Sequence, residues 1–121
     1  MSFISIILEQ YSFPESDIKA IENFTNRDGF QLLEKGEFND MINFFKQYPE
    51  DFQEIIPIMT DQNSNFICVY IKGENLYKVC YLNHDEINLY PKFKNIYDLI
   101  ETINNNPGCW DITELDDSVF I

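Results

Sequence analysis

The sequence predicts an α+β domain, a small antiparallel sheet with helices packed on one face, in a single unit over residues 1–121. Three observations carry this expectation. A hairpin pattern fills the middle of the chain, and amphipathic helical stripes lie on both sides of it. With 121 residues, 45% of them hydrophobic and 16% aromatic, the chain can build one core and has no room for a second.

The elements follow in order. Ser12 and Glu15 stand three apart ahead of an apolar pattern, a spacing that lets the serine oxygen accept an N–H of the first turn while the Glu reaches back. A first helix is expected from about Phe13 to Asn26, with Ile18, Ile21 and Phe24 on one face and Asp28-Gly29 as its stop. After an apolar patch at 30–33, Phe38, Met41, Ile42 and Phe45 repeat at helical spacing and define a second helix. Pro49 ends it, because the residue before a proline is pushed away from helical angles.

Residues 55–59 read as a strand, restricted by Pro57 to a sheet edge or a bulge since proline donates no ladder hydrogen bond. Residues 66–72 and 76–82 are β-branched and aromatic and flank Gly73-Glu74-Asn75. A three-residue loop sets Lys72 opposite Leu76, and so Ile71 opposite Tyr77, Val69 opposite Val79 and Ile67 opposite Tyr81. That face is expected beneath the helices, with Cys68, Tyr70, Lys78 and Cys80 on the other. A short strand is expected at 87–90. Ile96, Leu99, Ile100 and Ile103 mark a third helix, capped by Asn95 and stopped by residues 104–107. Residues 106–121 form an acidic tail that is still apolar enough, through Trp110, Val119, Phe120 and Ile121, to dock; packing and fraying both remain open from sequence.

Charge and composition exclude several functions. Against 8 Lys and Arg stand 21 Asp and Glu, a net charge of −13, so a polyanion such as DNA or RNA is repelled. The same charge serves either solubility or steering toward a basic protein. No segment approaches the roughly 20 apolar residues of a membrane span. The apolar run at 3–8 follows no Lys or Arg and precedes no small-residue cleavage site, so no signal peptide is expected. Three cysteines without a disulfide framework point to a reducing compartment, and cytoplasm is the expected location.

Chemistry is sparsely signalled. His84 is the single histidine, within Asn83-His84-Asp85-Glu86, and reads first as a solvated turn residue. Cys68 and Cys80 face each other in the hairpin register, yet structural zinc needs about four ligands and only His84 and Cys109 remain. Four scattered glycines build no phosphate loop, and Glu50, Asp51 and Glu54 read as a solvated helix start. No catalytic residue, metal site or cofactor is expected.

Ile56-Pro57-Ile58, the polar turn at 61–65, the strand at 66–71, then Val79-Cys80-Tyr81-Leu82-Asn83-His84-Asp85, and finally Phe93 with Ile96, Leu99 and Ile100, resemble the SUKH superfamily. Its members typically show a proline-containing strand, a tyrosine-rich hairpin ending in a similar His-Asp, and a following helix. The family's leucine-proline, tyrosine and asparagine-glycine-glycine signature is replaced here by residues 30–45. The resemblance implies an α+β fold and a partner class, since the superfamily includes yeast cell-wall synthesis regulators and bacterial immunity proteins that neutralise polymorphic toxins. The expected function is therefore a non-enzymatic protein-binding domain, concretely an immunity protein that binds a basic toxin. The alternative is a scaffold or regulatory adaptor of the same fold without a toxin partner. Glu74, Asp85, Glu86 and Tyr90 are the expected partner-binding residues.

Overall fold

The computed structural model describes residues 2–121. It begins with a helix that the sequence reading missed, α1 (Phe3–Gln10), formed by the apolar run at 3–8. Phe3, Ile4, Ile7 and Leu8 fall on one face, and Ser2 caps the helix by accepting the Ser5 N–H on Oγ at 3.2 Å. The chain leaves α1 through Ser12, which has φ 59. The Phe13 N–H donates to the Leu8 carbonyl at 3.1 Å and the Ser12 N–H to that of Glu9 at 3.1 Å, the paired bonds of a Schellman turn. Ser12 therefore ends α1 instead of capping the next helix. That helix, α2 (Glu15–Glu22), starts from Pro14 without a side-chain cap and is shorter than the expected 13–26. Asp28-Gly29 sits beyond its end, in a tight turn between the bridged residues Arg27 and Phe30.

The apolar patch at 30–33 contributes β1 (Gln31–Leu32). The stripe of the expected second helix forms α3 (Lys35–Gln47), which stops before Pro49, and Pro49 itself opens the single turn α4 (Pro49–Phe52). The sheet is completed by β2 (Ile55–Thr60), β3 (Phe66–Tyr70) and β4 (Val79–Leu82), antiparallel throughout in the order β1-β2-β3-β4. Of the two options open to Pro57, the bulge is realised: β2 lies between β1 and β3, and its register with β3 shifts between Pro57 and Met59. The final helix is α5 (Ile96–Asn105), capped as expected by Asn95, whose Oδ1 accepts the Asp98 N–H at 2.8 Å.

The hairpin register is the expected one where the strands are paired, with Ile67 opposite Tyr81, Cys68 opposite Cys80 and Val69 opposite Val79. Beyond Val69 it departs from expectation. Tyr77 adopts φ 74, packs its ring edge-on against Phe13 at 4.9 Å and donates its hydroxyl to the Ser12 carbonyl at 3.0 Å. Ile71 donates its N–H to Glu54 at 2.8 Å. Neither is left to pair with the other, so Lys72 and Leu76 are not partners and the loop spans 71–78. Residues 87–90 likewise form no strand. They run back to Phe93, where the Val79 N–H donates to the Phe93 carbonyl at 2.9 Å and the Lys92 N–H to the Val79 carbonyl at 2.7 Å.

The α+β class with a small antiparallel sheet is as expected, but helices cover both sheet faces rather than one. On one side Ile56, Ile67, Val69, Val79 and Tyr81 meet α1, α2 and α5. On the other, Ile55, Cys68, Cys80 and Leu82 meet Phe45 of α3 and Phe52 of α4. The connecting turn at Pro49 folds α4 back so that the two phenyl rings stack at 4.6 Å, which buries the face expected to be open. The tail docks. Ile112 and Leu115 are buried, Phe120 packs edge-on against Phe93 at 5.5 Å, and the Ile121 N–H donates to the Lys92 carbonyl at 2.9 Å.

Candidate functional site

Pairing at the end of β4 closes with a turn in which Asn83 bridges Glu86 and the Asn83 Oδ1 accepts the Asp85 N–H at 2.8 Å. The returning segment then lies between the 71–78 loop and the docked tail. It is anchored there by the Tyr70 hydroxyl, which donates to the Leu89 carbonyl at 2.6 Å, and by Pro91, which is buried. Burial pushes the Tyr70 hydroxyl up to about 12, so it stays a donor at neutral pH; charge on the neighbouring Cys80, Glu54 and Cys68 would act in the same direction.

Two shallow grooves, of about 580 and 650 Å³, open on either side of this segment and share Asn88, Tyr90, Pro91 and Ile121, making one furrow. Tyr90 is its most prominent side chain, 74% exposed. The structure brings three of the four expected partner-binding residues to this furrow: Tyr90 lines both grooves, Glu74 one and Glu86 the other. Asp85 does not line it, although its carboxylate is exposed on the adjacent turn, 3.2 Å from His84 Nε2. Sequence reasoning missed the tail's contribution: Thr113, Asp117, Phe120 and Ile121 form a wall of the first groove. Lys92 joins them, its ammonium 4.6 Å from the Phe120 ring centroid.

His84 is exposed, and its Nδ1 lies 2.8 Å from Asn65 Oδ1, an arrangement that orients the ring and ties the turn to the 61–65 loop. Cys68 and Cys80 are both free and fully buried; burial, reinforced by the proximity of Cys80, holds the Cys68 thiol well above the usual range and keeps it protonated. Among the described residues, no three His, Cys, Asp or Glu side chains gather in a way that could hold a metal ion, and no helix is long and apolar enough to cross a membrane.

The furrow presents an exposed phenol, walls of mixed polar and apolar character, and both carboxylates and the ammonium groups of Lys78 and Lys92. In comparisons with known proteins, no family model, curated protein or solved structure matches the chain.

Proposed function

We propose that the chain is a non-enzymatic protein-binding domain that recognises a basic partner, and that its most concrete role is that of an immunity protein occluding a toxin domain. The observation that carries this reading is the Tyr90 furrow, an exposed aromatic set among Glu74, Glu86 and Asp117, with Lys78 and Lys92 also on its walls, on a chain of net charge −13. Tyrosine supplies much contact area at low entropic cost, and surface carboxylates steer a cationic partner into register. The toxin identity of the partner rests on the resemblance to the SUKH superfamily.

Affinity capture with the product of the neighbouring gene tests it. Association is expected to weaken as salt rises from about 0.1 to 1 M, over which the Debye length falls from about 10 to 3 Å. Tyr90→Ala is expected to cost roughly tenfold in affinity. Binding that is indifferent to salt contradicts electrostatic recognition. A genome neighbourhood without any toxin gene favours the adaptor reading.

A further inference from the structure

A separate groove, of about 420 Å³, opens between α3, α4 and the turn after β4. Its walls are Met41, Phe44, Phe52, Phe66, Leu82 and Ile87, with His84 at the margin. Two of these are unusually open for their type, Phe44 at 42% exposure and Ile87 at 57%. Helix geometry places Phe44 there: neighbouring residues on a helix point about 100° apart, so when Phe45 turns into the sheet, Phe44 is left on the rim, stacked obliquely on Phe52 at 5.7 Å and Tyr48 at 5.3 Å. Ile87 is held out by the Asn83–Glu86 bridge directly before it.

Lys and Arg are absent from the groove's lining, and the charge placed at its margin is acidic. At the margin the exposed Asp85 carboxylate stands 3.2 Å from His84 Nε2, and the chain as a whole carries a net charge of −13. No Lys or Arg adjoins any lining residue; Lys46, the closest along the chain, borders a different groove with Tyr11 and Pro49. An apolar slot with a carboxylate at its margin, on a chain of net charge −13, repels phosphate head groups and acidic peptides. It is complementary to an apolar side chain presented between cations.

We propose that this groove is a docking slot for one bulky apolar side chain, Phe, Trp or Leu, carried between Lys or Arg residues on a partner polypeptide. The inference rests on the reading of the chain as a binder of basic proteins and supplies that partner with a defined anchor point. Phe44 and Ile87 clasp the side chain over the floor made by Phe52 and Leu82. Asp85, beside His84 at the margin, receives a flanking cation, and the chain's net charge of −13 favours the rest of a basic segment.

The test uses the blocked peptide Lys-Lys-Trp-Lys-Lys as probe, with Lys-Lys-Gly-Lys-Lys as its control, titrated into the full chain labelled with nitrogen-15. Amide shifts are expected at Phe44, Phe52, His84 and Ile87, saturating near 1 mM, weakening with salt and lost with the glycine peptide. Ile87→Ser alters an exposed side chain and should leave the fold intact while weakening the tryptophan peptide roughly tenfold; Phe44→Ala should do the same. Shifts centred instead on Tyr90 and Ile121, equal binding of the two peptides, or wild-type affinity in Ile87→Ser would each overturn the proposal. The outcome also separates the two readings. Capture of a basic partner at full affinity by both variants removes the slot and leaves the binding function. Peptide binding in the slot without capture of any basic partner protein does the reverse.

Discussion

Arg27 donates from Nη1 to the carbonyl oxygen of Ile103 at 3.0 Å, and from Nη2 to those of Asn106 at 3.3 Å, Pro107 at 3.1 Å and Cys109. One guanidinium thereby ties the Ile103 carbonyl at the end of α5 to those of the turn at 106–109 that follows it, with a cation at the negative end of the helix dipole. The same tight turn holds Gly29 against the Trp110 carbonyl, so closely that a Cβ would overlap it. Residues near one end of the chain thus seat the acidic tail, which forms a wall of the Tyr90 furrow.

Arg27→Ala should therefore destabilise the fold by about 2 kcal/mol in urea unfolding. Amide exchange over residues 109–115 should rise by more than that over α5. Uniform acceleration would mean that Arg27 acts on global stability and not on the tail.

The two-sided sheet makes a matched pair of predictions. Val79 and Cys80 are adjacent, point to opposite faces, and are each 0% exposed. Val79→Asp and Cys80→Asp should each bury an unpaired carboxylate and cost several kcal/mol, on the order of the stability of a small domain. Lys78→Glu, at the edge of the loop, should change stability by under about 0.5 kcal/mol. A tolerated Cys80→Asp would show that α3 and α4 do not cover the second face.

Ser12 sits at φ 59, where a side chain is strained and glycine is not. Ser12→Gly should raise stability by about 0.5–1 kcal/mol, and Ser12→Val should lower it. Because Tyr77 bonds the Ser12 carbonyl, the glycine variant retains that contact.

Asp17 is fully buried between α2 and α5, its Oδ1 accepting the Tyr97 N–H at 2.9 Å and its Oδ2 without a partner. Desolvation raises its pKa, the Tyr97 bond lowers it in part, and the charge of Asp98, itself paired with Lys94 at 3.5 Å, raises it further. The folded carboxyl then holds its proton more tightly than the unfolded one. Stability from this group falls as pH rises from the unfolded value of 3.8 through the folded one. Asp17→Asn keeps the acceptor for Tyr97 and removes the buried charge. The variant should be more stable than the parent at pH 7, with the difference shrinking toward pH 4 in thermal melts. A difference constant with pH would mean that Asp17 does not titrate in this window.

Sequence alone determined the features that depend on near neighbours along the chain. Phe38, Met41, Ile42 and Phe45 specify α3 by their spacing, Asn95 caps α5 with its own side chain, and the alternation around Cys68 and Cys80 fixes a register that a slip of one residue would turn inside out. Glu74, Glu86 and Tyr90 were legible as exposed groups because nothing in their local pattern asks for burial. Helix α1 was legible too, in the 3, 4, 7, 8 spacing of its apolar residues. Tertiary structure alone decided what depends on contacts distant in sequence. Tyr77 leaves the hairpin because Phe13 and Ser12 offer a better place for its ring and hydroxyl, and Ile71 leaves it for Glu54. Ser12 lost its capping role to the Schellman turn of a helix before it. The second sheet face is closed by α4 folding back at Pro49, and the furrow acquires its wall from a tail held by Arg27. A residue's spacing reports which face it shares with its neighbours; what comes to cover that face is set by the packing of segments far apart in the chain.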